Sequence, residues 1–111
     1  MTRSLLSRSA AALTRTLLER AGNDGNRILL SSWTSVDWRS LTFAGERHEA
    51  SFRLTGPEAS ALARRWTDGL EEAELDLGGG IFVAELSVTY VSPVGADGSV
   101  VVSLEALTLA D

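Results

Sequence analysis

Cysteine and lysine are both absent from this 111-residue chain; proline occurs twice, and histidine and methionine once each. The lack of cysteine excludes disulfides, thiolate zinc sites and thiol nucleophiles. The lack of lysine excludes a Gly-Lys-Ser/Thr phosphate loop. No run of about eighteen apolar residues occurs, so no membrane-spanning helix is expected. What remains is 44% hydrophobic and 23% charged, too apolar for intrinsic disorder and long enough for a single domain over residues 1–111.

All ten basic residues are arginine, which points to an arginine-biased coding sequence rather than to a binding requirement. The formal charge is −5 and unevenly spread. Residues 1–56 hold eight arginines against five acids, whereas residues 57–111 hold two arginines against ten acids. A chain polarised in this way is suited to pairing its own halves or a second copy.

Residues 1–21 are rich in arginine, serine and leucine, a composition that resembles a mitochondrial presequence. The same segment also satisfies the pattern of a domain helix. Leu6, Ala10, Leu13, Leu17 and Ala21 form one stripe, with Ser4, Arg8, Arg15 and Glu19 opposite. The apolar stripe has no aromatic residue, which favours a core helix over one lying on a membrane. Gly22-Asn23-Asp24-Gly25 supplies the stop.

The apolar period then changes to two. Ile28 to Trp33 reads as a short strand, Thr34 to Asp37 as a bend, and Trp38–Ala44 with Arg47–Thr55 as a hairpin turning at Gly45-Glu46. Ala50, Phe52 and Leu54 share the inward parity of the second arm. Pro57 opens a second helix with a stripe of Ala59, Leu62, Ala63, Trp66 and Leu70, ending between residues 68 and 73. A strand through Phe82, Ala84, Leu86, Val88 and Tyr90 follows, then a turn from Pro93 to Gly98, then a last strand from Ser99 to Leu109. A tight turn at Asp97-Gly98 would oppose Tyr90, read as inward, to Glu105, read as outward. Opposed residues share a face, so that connection must be longer or bulged.

The fold class is therefore α+β: a two-layer sandwich with an antiparallel sheet of four to five strands and two helices, in the order α-β-β-β-α-β-β. Without the short first strand, this is a circular permutation of the split β-α-β order of ferredoxin-like folds.

Reactive constellations are scarce. His48 lies among Glu46, Arg47 and Glu49, and a metal site would need further ligands from Asp37 or Glu85, so no metal is expected. No Gly-x-Ser-x-Gly motif exists, and the acids at Glu71, Glu72 and Glu74 read as a solvated charge run. Gly78-Gly79-Gly80 leads into a strand rather than a helix, unlike a phosphate loop. Trp33 and Trp38 stand near arginines, an arrangement that can stack bases. The acidic chain and the lack of repeated strand aromatics argue against nucleic acid. One alternative is a ligand cleft between Trp33–Trp38 and the triple glycine, using Trp38, Arg39, Arg47, His48 and Glu85.

The strongest signal is an excess of apolar side chains on the last two strands. With Phe82, Leu86, Val88, Val102 and Leu104 beneath the helices, Ile81, Val83, Val91, Val101, Leu107 and Leu109 face the other way. If both helices cover one face, the second face needs a second copy or another protein. The sequence thus leads to a cytoplasmic, non-enzymatic assembly module, a homodimer joined through its sheet. No cofactor, nucleic acid or membrane is expected as a partner.

Overall fold

The computed structural model describes residues 6–110. Ser4, read above as part of the first helix, lies outside them. Helix α1 spans Arg8–Arg20 and helix α2 Ala59–Thr67; the strands are β1 (Ile28–Arg39), β2 (Ala44–Leu54), β3 (Ile81–Val94) and β4 (Ser99–Ala110). All four strands are antiparallel, in the order β1-β2-β4-β3. Two hairpins therefore lie side by side and join through β2 and β4. A central strand must be compatible with burial along its length, and β4 is: Val100, Val102, Leu104, Ala106 and Thr108 are buried on one face, and Leu107 and Leu109 on the other.

Both helices pack on the same face. Ala12, Leu13 and Leu17 of α1 and Leu62, Ala63 and Trp66 of α2 share one core with Ala50, Phe52, Leu54, Val102 and Leu104. Ser7 caps α1 by accepting the Ala10 backbone N–H at 3.1 Å, and Gly22, at φ 61°, follows its end. The two helices are clasped where they finish. The Trp66 indole N–H donates to the Leu17 carbonyl at 2.8 Å, and Arg20 Nε donates to the Trp66 carbonyl at 3.0 Å. Carbonyls in a last turn lack partners within their own helix, and Trp66 supplies one.

Three expectations are corrected. The segment from Ile28 to Arg39 is one strand with a bulge between Leu30 and Ser32, not a strand, a bend and a second arm. The hairpin turns at residues 40–43, where Ser40 N–H donates to the Phe43 carbonyl at 2.9 Å and Phe43 N–H donates to Ser40 Oγ at 3.0 Å. Gly45 is in the strand instead, where an added Cβ would stand 1.8 Å from the Thr108 carbonyl oxygen. It serves close approach of β2 to β4, not a turn.

Third, the alternation along β3 is broken by bulges between Val83 and Glu85 and between Val88 and Tyr90. Each bulge reverses which face the following residues take. Leu86 and Val88 remain beneath the helices as expected. Phe82 and Tyr90 move to the helix-free face, paired with Leu109 and Ser103, and Glu105 pairs with Ser87. Ile81, Val83 and Val91 move the opposite way, onto the face shared with Ala110, Thr108 and Val102, and Ile81 and Val83 pack against the core. Only Val101, Leu107 and Leu109 of the six expected outward residues point away from the helices. The hairpin conflict at Tyr90 is resolved by both routes, a four-residue loop at 95–98 and the bulges.

Candidate functional site

Two regions hold polar groups in defined geometry. The first lies under the N-terminus of α1. His48 is fully buried on β2, opposite Ala106. Its Nδ1 accepts from the Trp33 indole N–H at 3.2 Å and lies 2.8 Å from Ser35 Oγ; its Nε2 lies 2.8 Å from Thr108 Oγ1. An indole nitrogen only donates, so this network assigns the proton of the neutral ring to Nε2. Burial lowers the His48 pKa, and the charge of Glu46 opposes that shift.

Glu46 Oε1 accepts from the hydroxyls of Ser7, at 2.6 Å, and Ser9. Burial raises its pKa, but the hydroxyls of Ser7 and Ser9 and the charge on His48 together outweigh burial and hold it below the usual carboxylate value. Glu46 thus ties the start of α1 to the sheet. A cleft of about 510 Å³ opens beside it, lined by Ser7, Arg8, Ser9, Glu46, Gly79 and Thr108. Among the described residues no group of three or more His, Asp or Glu side chains is placed to hold a metal ion.

The second region is the helix-free sheet face. Opposed residues there form rows across the sheet, about 7 Å apart along the strands. Trp38, Gly45, Leu109 and Phe82 make one row, and Val36, Arg47, Leu107 and Glu85 the next. Arg47 and Glu85 flank Leu107 and approach each other at 3.9 Å. Phe43, from the turn, meets Phe82 edge-to-face with centroids 6.5 Å apart. Leu107 and Leu109 are covered by these neighbours, while Val36 is 57% and Phe82 38% exposed.

A polar belt follows. Thr34, Glu49, Glu105 and Ser87 form one row, and Ser32, Ser51, Ser103 and Tyr90 the next, with Ser51 and Ser103 hydrogen-bonded at 2.7 Å. Glu49 and Glu105 are directly opposed, and among the described residues neither forms an ion pair. Beyond the belt Arg53 reaches Asp97 at 3.3 Å.

The five residues expected to gather around a ligand are divided between the faces. Trp38, Arg47 and Glu85 lie on the helix-free face; His48 and, by its pairing with Ala44, Arg39 lie on the other. His48 lies inside a central strand, between β1 and β4. Sequence reasoning missed Ser35 and Thr108 as partners of His48, and Ser7 and Ser9 as partners of Glu46. One signal was available, because Glu46 and His48 share the parity of Ala50, Phe52 and Leu54.

These features define a class: a two-layer α+β domain with one helix-covered face and one open antiparallel face. No family model matches the chain, and no curated protein matches it. Among solved structures, a chain of the virion of a native gene transfer agent particle is similar over 92% of this chain and 96% of that one, with a TM-score of 0.58 and 16% identity. At that identity the likeness is one of fold. Among the described residues no helix is long and apolar enough to cross a membrane.

Proposed function

We propose that the chain is a non-enzymatic assembly module of the cytoplasm that self-associates through its sheet and offers its helix-free face to a neighbouring protein subunit. One observation carries this reading: both helices pack on the same side of the sheet, and among the described residues no layer covers Val36, Trp38, Phe43 and Phe82, which surround the buried Leu107 and Leu109 on the other side. An apolar patch rimmed by charged and hydroxyl groups is the usual form of a contact surface. The fold likeness to a component of a virion agrees with a structural role. The five candidate ligand residues are divided between two faces, which supports a contact surface over a ligand cleft built from them.

Sedimentation velocity at tens of micromolar tests the self-association. A species larger than the 11.8 kDa chain is expected. A strict monomer across that range would remove it.

A further inference from the structure

The two outer strands of the sheet differ in how their free edges are managed. At β3 the edge is occupied. Asp76 bridges to Phe82, and Glu71 Oε2 accepts the Val88 backbone N–H at 2.7 Å. Two bulges interrupt the strand, and Pro93 removes a donor. Such devices keep an edge from pairing with another chain. At β1 there is one bulge, before Ser32. From Ser32 to Arg39 its pairing with β2 is regular, with no proline and with Asp37 and Arg39 as the only charges. A regular edge of that length is a template for a further strand.

We infer that the occupant of this edge is a second copy of the chain, with β1 paired antiparallel to β1 about a two-fold axis at Val36. Opposed residues in a continuous sheet share a face, so the axis must pass through a residue position. An axis at Asp37 would oppose two carboxylates, and one at Ser35 would carry Arg39 onto the bulge at Ser31. An axis at Val36 uses Trp33 to Arg39, all regular. It sets Val36 against Val36, Thr34 against Trp38, Asp37 against the hydroxyl of Ser35, and Arg39 against the ring of Trp33. That ring is already fixed by donation to Ser35 at 3.0 Å and to His48, and it attracts a guanidinium. Stacking the open faces about their centre would instead bring the Glu49–Glu105 rows together.

This pairing rests on the assembly reading and deepens it. Two open faces become one eight-stranded surface, with Val36 and Trp38 of both copies at its middle, and that surface stays free for another subunit.

With no native cysteine, single-cysteine variants report proximity without background. Val36→Cys stands on the axis, where opposed Cα atoms are about 4.5–5.5 Å apart, a separation that a disulfide spans. Phe82→Cys, on the far strand, is the comparison. Both positions are exposed, so both variants should retain the fold. Full-length variants are oxidised and followed on non-reducing gels, with sedimentation of the unaltered chain alongside. A linked dimer is expected on the order of tenfold faster at Val36 than at Phe82. Equal or faster linking at Phe82, or a sedimenting dimer that Val36→Cys does not trap, overturns edge pairing and leaves the assembly reading standing. A chain that sediments only as a monomer overturns self-association and the edge pairing with it.

Discussion

An imidazole is tolerated in a core only when both ring nitrogens have partners, and His48 has Trp33 and Ser35 on one side and Thr108 on the other. Its folded pKa lies below the ordinary 6.5, so the unfolded chain binds the proton more readily. The stability this neutral ring contributes is complete above about pH 6.5 and declines as the pH falls toward the folded value. Glu46, held below 4.5, contributes above that value and loses its contribution as the pH falls through its folded pKa. His48→Gln keeps a donor and an acceptor but does not titrate. Urea midpoints at about pH 7 and about pH 5 should differ less in the variant than in the parent. An unchanged difference would assign the acid sensitivity elsewhere. Glu58 presents a different local conflict. It precedes α2 at φ 61°, a left-handed conformation, and gives no side-chain cap. Glu58→Asn, which tolerates that region and can cap, should stabilise by about 0.5–1 kcal/mol, seen as a rise of a few degrees in the thermal midpoint.

At the scale of elements, the join between the two hairpins is the critical contact, and Gly45 marks where it is tightest. A Cβ at this position would meet the Thr108 carbonyl oxygen at 1.8 Å and the Leu109 Cα at 2.9 Å, both backbone atoms that cannot rotate aside. Gly45→Ala should therefore cost about 3 kcal/mol, measured by denaturant unfolding, with loss of amide protection concentrated where β2 meets β4. Elements were legible where their own pattern decides them. The stripe of α1 from Ala10 to Leu17, the stripe of α2 from Ala59 to Trp66 and the alternation of β4 each follow from local spacing. Leu6, however, precedes α1 and is exposed, and Leu70 lies past the end of α2. What escaped was decided at a distance. The β3 bulges depend on how that strand meets β4, and a period-two pattern read alone assigned Ile81, Val83, Val91, Phe82 and Tyr90 to the wrong faces. The first hairpin turn escaped for a chemical reason: the glycine that suggested it serves close strand approach, and a serine hydroxyl closes the true turn.

At the scale of the molecule, placing both helices on one face follows from the element order, and the open face follows from that placement. The acid-rich second half and arginine-rich first half meet only in part: Arg47 finds Glu85 and Arg53 finds Asp97, while Glu49 and Glu105 stay opposed on the open face. The joining of β2 to β4 has a consequence for how the chain comes into being. Ala44 to Leu54 pair with Ala110 to Val100, so the seam links positions that emerge from the ribosome far apart in time. Each hairpin can close by itself within microseconds, but the seam must wait for the final strand. Until then Phe52 and Leu54 sit on an unfinished edge, and a nascent chain halted before Ser99 should be a client for chaperones rather than a folded intermediate.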